Sequence, residues 1–85
     1  MKQKIRNKIR EIATLLISKN KAYGNSANNP ANIFSKGSAT DSLCARIDDK
    51  LMRIKNSGIN DNTEDTIYDL IGYLILLTIE LDKNE

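Results

Sequence analysis

The sequence predicts a small all-α domain, and three observations predict it. Apolar residues recur at helical spacing in separate stretches, the last stretch is apolar on nearly every side, and turn formers gather between them. At 85 residues the chain has room for one domain, covering 1–85, and for a thin core. Aromatic residues are 5% of the chain and there is no Trp, so Ile and Leu must build that core. The expected architecture is a three-helix bundle with a long first loop, completed by homo-oligomerisation.

The first helix is expected from Lys2 to Asn20, where Ile5, Ile9, Ile12 and Leu16 follow one another at steps of four, three and four, with Ala13 and Leu15 beside them. Lysines and arginines fill the other face, which reads as a solvated outer surface in preference to a membrane-surface helix. The segment from Lys21 to Thr40 holds Gly24, Pro30 and Gly37 and is too long for idle linkage in so small a domain. A short helical turn at Ala31 to Phe34 is expected there, with Phe34 pinning the loop. The second helix starts near Asp41, capped by Thr40 or Asp41, and runs to about Asn56 with Leu43, Ile47, Leu51 and Ile54 on one face. Gly58 supplies its stop.

For the third helix, Thr63 is a suitable cap, and Glu64 and Asp65 suit the positive end of the dipole. From Leu70 onward "LIGYLILLTIEL" is apolar nearly all round, which predicts a central helix buried on every side, part of it against another subunit.

Composition narrows the chemistry. With 13 basic and 11 acidic residues the net charge is +2, which argues against general nucleic-acid binding. A single cysteine, Cys44, and no histidine exclude an internal disulfide and a Cys-based zinc site. Cys44 is expected to be a small core residue. Any metal should be a hard ion held by carboxylates, Mg²⁺ or Mn²⁺. "MKQKIRNKIR" lacks the apolar core of a signal peptide and no stretch has membrane-spanning length, so a cytoplasmic protein is expected.

Three clusters offer chemistry. In "EDTIYDLIGY", Asp65 and Asp69 lie one turn apart with Gly72 next along the stripe, as oxygen ligands for Mg²⁺ would be presented; the plainer reading gives Asp65 to the helix dipole and Asp69 to an arginine of the second helix. In "ARIDDKLMRIK", Arg46, Lys50 and Arg53 form a row at the edge of the apolar face, suited to phosphate oxygens, with Asp49 just beyond. Pairing of Asp49 with Arg53 or Arg46 along the helix is the competing account. In "KNKAYGNSANNP", Tyr23 could stack on a base beside the cations Lys19 and Lys21, Gly24 permits a left-handed turn, and Asn25 and its neighbours could read base edges. A tyrosine that anchors the loop on the bundle is the alternative.

In that order, "KNKAYGNS", "RIDDKLMRI" and "EDTIYDLIGY" resemble the nucleotide modification associated domain family, type one, found largely in bacteriophage genomes. The resemblance spans Lys19 to about Leu76 and marks Lys19, Tyr23, Gly24, Arg46, Asp49, Lys50, Arg53, Asp65, Asp69 and Tyr73. Ala22 stands where the family often has Asp, which removes one carboxylate from any metal site. A looser similarity runs to the all-α nucleoside triphosphate pyrophosphatases, whose ExxE and ExxD helices hold Mg²⁺; here only Asp49, Asp65 and Asp69 stand in for that set. The resemblance implies a nucleotide as the substrate class and no reaction. The missing acids and the small size favour a phage-type protein in the host cytoplasm that binds and sequesters a nucleoside phosphate or a nucleotide immune signal. The alternatives are a Mg²⁺-dependent nucleotide hydrolase and a structural or regulatory partner protein whose motifs glue the bundle by ion pairs.

Overall fold

The computed structural model describes residues 1–33, 37–60 and 63–83, and among them the chain forms three α-helices and no strand. They are α1 (Lys2–Ala22), α2 (Ala39–Ser57) and α3 (Glu64–Asp82). The all-α class follows as expected, and each helix runs one to two residues beyond the ends the sequence pattern gives it.

Local chemistry sets the ends. Ser38, extended at φ −72°, accepts the Asp41 N–H on its hydroxyl at 3.1 Å and so caps α2, a role the sequence reading gives to Thr40 or Asp41. Gly58 ends α2 at φ +74°, with its N–H on the Ile54 carbonyl at 2.8 Å. Thr63 does sit at the start of α3, but its buried hydroxyl turns back to Asn60, accepting that residue's N–H at 2.8 Å and donating to its carbonyl at 2.7 Å. Its side chain fastens the turn and leaves the helix donors alone.

Helix α3 is the central element: α2 packs along it extensively, and α1 crosses it with a much smaller contact. Leu43 of α2 is the one fully buried large side chain among the described residues, and it joins Ala27 and Leu76, with Leu16, Tyr73 and Leu77 packed round them. Gly72 lets α1 approach, because a Cβ there would stand 3.2 Å from Leu16 Cδ1. The segment after α1 is held by Ala27, which is buried in the core, and by Asn28, whose amide donates to Glu80 Oε1 at 2.7 Å and to the Leu76 carbonyl at 3.4 Å. Residues 31–33 are not helical, and the expected anchor Phe34 lies outside the described residues.

Several apolar positions depart from expectation. Ile5 and Ile9 of α1 stand 52% and 61% exposed, Leu51 of α2 is exposed, and α3 shows Leu74, Ile75, Ile79 and Leu81 to solvent, so α3 is not buried all round within one chain. Cys44 is exposed too, one position past Leu43 and turned off the buried face. The radius of gyration is 14.0 Å, whereas a compact chain of this length would have about 12 Å.

Because Leu43 is the hub of so small a core, Leu43→Ala should cost about 2–5 kcal/mol and abolish the cooperative thermal transition near ambient temperature. Thermal melts followed by circular dichroism measure this. Leu51→Ala, at an exposed position of the same helix, should leave the midpoint almost unchanged.

Candidate functional site

Where α1 meets α3 lie both the charge centre of the molecule and a cavity. Asp69, on the α3 face turned toward the other helices, takes the Lys19 ammonium of α1 on Oδ1 at 2.7 Å and the Lys50 ammonium of α2 on Oδ2 at 3.1 Å. The carboxylate is 24% exposed and Lys50 16%. Burial pushes the Asp69 carboxyl up, but the hydrogen bonds from Lys19 and Lys50 outweigh it together and hold it below the usual carboxylate range. The same bond raises the Lys19 ammonium above its ordinary value. Asp69 therefore pairs with a cation of the second helix, as the plainer reading holds, but the cation is a lysine and a second one comes from α1.

Beside this centre lies a cavity of about 290 Å³ between α1 and α3, at the small end of the range of roughly 300–1,000 Å³ typical of small-molecule sites. Its floor is apolar, with Ile12, Leu16, Gly72 and Leu76. Tyr23, Tyr68 and Tyr73 give it three aromatic edges, and Lys19, Arg46 and Asp69 its charge. The Arg46 guanidinium lies 5.7 Å from the centroid of the Tyr73 ring and makes no ion pair among the described residues. Arg46 is thus a half-buried cation, stacked on a ring, with its donors uncommitted to a carboxylate.

Tyr23 enters the cavity wall through the turn that ends α1. Gly24 and Asn25 both take positive φ, +60° and +62°, and reverse the chain just after the tyrosine, which stays 70% exposed. Gly24 has nothing within 4 Å of a would-be Cβ, so its service is conformational. Asn20 donates to the Asn25 side chain and braces the turn.

The structure thus brings Lys19, Tyr23, Arg46, Asp69 and Tyr73 together round one cavity, with Lys50 tied to it through Asp69. Lys21, Gly24 and Asn25 border a different depression, against Ile17, Leu76 and Ile79. Arg53 and Asp49 are exposed and line neither, and Asp65 stays exposed at the start of α3. Among the described residues no three Asp, Glu, Cys or His side chains gather as a metal group. Asp49, Asp65 and Asp69 accordingly do not converge on one point.

Sequence reading passed over Tyr68, although its spacing with Gly72 and Leu76, i, i+4 and i+8, places it on the stripe that lines the cavity. Its hydroxyl accepts from Lys8 Nζ at 2.8 Å and donates to Glu11 Oε1 at 3.2 Å, while Lys8 and Glu11 pair at 3.0 Å. The Tyr68 hydroxyl and the Glu11 carboxylate together raise the Lys8 ammonium well above the lysine range. The cluster is exposed, so it aligns α1 over α3 more than it stabilises it.

No protein-family model matches the chain, and no curated protein or solved structure is significantly similar to it. The resemblance drawn above therefore rests on its three motifs. Among the described residues no helix is long and apolar enough to cross a membrane.

Asp69→Asn should cost about 1–3 kcal/mol at pH 7, because it leaves both the Lys19 and the Lys50 ammonium without their anion. The sign of the pH dependence follows from the lowered folded-state value: the Asp69 contribution is complete above about pH 4, where the unfolded carboxyl is ionised, and fades as the pH falls through the folded value. Thermal melts of the native chain and Asp69→Asn should therefore differ at neutral pH and draw together below pH 4. An equal gap at both ends would contradict the assignment.

Proposed function

We propose that this protein binds a nucleoside phosphate in the cavity between α1 and α3 and holds it without transforming it. The observation that carries this reading is the convergence of Tyr23, Tyr73, Lys19 and the carboxylate-free Arg46 on one apolar-floored cavity. Each group has a task that suits it. A base is an apolar plate with polar edges, and a tyrosine ring offers the matching plane. A phosphate asks for donors in a fixed geometry, and a guanidinium already stacked on Tyr73 loses little freedom in providing them. Lys19, at the cavity rim, adds positive potential even while paired with Asp69. The small volume favours one nucleotide unit over a nucleic-acid strand.

Mg²⁺-dependent hydrolysis is the second reading, and the acids decide the order of preference. A metal centre needs carboxylates free to converge, whereas Asp69 gives both oxygens to lysines and Asp49, Asp65 and Asp69 do not gather as one group. If the bound nucleotide is a host immune signal, sequestration alone would serve a phage protein.

Titration calorimetry with nucleoside mono-, di- and triphosphates and cyclic dinucleotides, with and without Mg²⁺, tests the proposal. At least one should bind without metal; Arg46→Ala should weaken that binding about tenfold or more, and Tyr23→Ala by roughly 5- to 100-fold. Both variants should melt close to the native temperature. Failure of every ligand to bind sinks the proposal, and a new product on chromatography after incubation with Mg²⁺ would replace it with the hydrolase.

A further inference from the structure

Every residue from Met1 to Glu11 is exposed, and only the polar ends of Lys8 and Glu11 reach α3, at Tyr68, so the first half of α1 buries none of its apolar face. A helical segment of about ten residues is marginal in water without tertiary packing. Ile5 and Ile9 continue the stripe whose next members, Ile12 and Leu16, rest on α3. The apolar face runs on, but the chain offers nothing to cover it.

Charge makes this segment less favourable still. Between Lys2 and Arg10 the helix carries five cations and no acid, gathered toward its positive dipole end, with no side-chain cap at its start. Lys2, Lys4, Arg6 and Arg10 make no ion pair among the described residues. The far end of α3 has acids at its negative dipole end: Glu80 is taken up by Lys83 at 3.0 Å and by Asn28 at 2.7 Å, and Asp82 follows beside the exposed Leu74, Ile75, Ile79 and Leu81. Asp82 likewise has no ion pair among the described residues. The two helix ends carry opposite charge, and each carries apolar surface that its own chain leaves uncovered.

We infer that two copies of this chain pair reciprocally, the N-terminal half of α1 in each lying antiparallel on the C-terminal half of α3 in the other. Ile5 and Ile9 then cover the exposed α3 leucines and isoleucines, Lys2 and Lys4 reach Asp82 of the second copy, and opposed dipoles lie side by side. The arrangement is two-fold and closes on itself. Surface area agrees: the chain exposes 6541 Å², whereas a monomer of this mass exposes about 5,000 Å². The excess of roughly 1,500 Å² exceeds the ~800 Å² that each partner buries in a standard interface. This inference is independent of the nucleotide reading, because it uses neither Arg46 nor Tyr23.

Light scattering on the purified chain should give twice its 9.5 kDa mass, and a single-chain mass at every concentration tested overturns the inference. The paired variant Ile5→Asp, Ile9→Asp should fall to one chain, since both side chains stand in water in the isolated chain; retention of the native mass overturns it equally. A second measurement needs no variant. Light and ¹⁵N-labelled chains are mixed, denatured, refolded together and coupled with a zero-length carbodiimide. Mixed-label peptides joining Lys2 or Lys4 to Asp82 are expected; cross-links within one label only, or mixed ones confined to other residues, refute the pairing.

Discussion

Asp69 stands where the three helices meet and ties α1 and α2 to α3. Its two oxygens hold one ammonium from α1 and one from α2 while its own backbone belongs to α3. A partly buried carboxylate with one partner would be an uneven bargain between desolvation and attraction. With two, the charge is compensated from both sides, and the ionised form becomes the favoured one. The tie sits one turn from the contact of Leu16 with Gly72, so the two together orient α1 on α3.

That tie matters because the apolar core is so small. Leu43, Ala27 and Leu76 form its buried centre, and α1 adds only Ile12 and the flank of Leu16. A domain of this size has little margin between burial and chain entropy. Polar fastenings consequently appear at each weak joint: Asn28 on Glu80 and Leu76, Thr63 on Asn60, and Lys8 and Glu11 on Tyr68. They orient segments that hydrophobic burial alone leaves loosely specified.

The cavity is a consequence of the same geometry. Helix α1 touches α3 far less than α2 does, approaching it closely at Gly72 and leaving a cavity beside that contact. The Gly24–Asn25 reversal then carries Tyr23 into the opening, and α2 supplies Arg46 from the far side. An arginine here meets a ring, Tyr73, and no acid, since the nearby acid Asp69 is already satisfied. The ion-pair centre that holds the bundle thereby leaves one cation available at the cavity wall.

Read without coordinates, the chain already determined its three helices, the stops at Gly58 and the left-handed Gly24, and the gathering of Lys19, Tyr23, Arg46 and Tyr73 into candidate roles, because helical periodicity and residue chemistry are local properties. Tertiary structure decided the rest. Which apolar residues are covered depends on the crossing of α1 and α3, so Ile5, Ile9 and Leu51 share a stripe with buried residues and yet face water. Ser38 took the cap of α2 from its neighbours because the chain enters that helix extended, and Cys44 faces outward because Leu43 fills the buried position beside it. The role of Asp69 was the least legible of all. One carboxylate at a given spacing reads the same whether it awaits a metal or a lysine, and only the meeting of three helices brings Lys19 and Lys50 to it from positions 50 and 19 residues away.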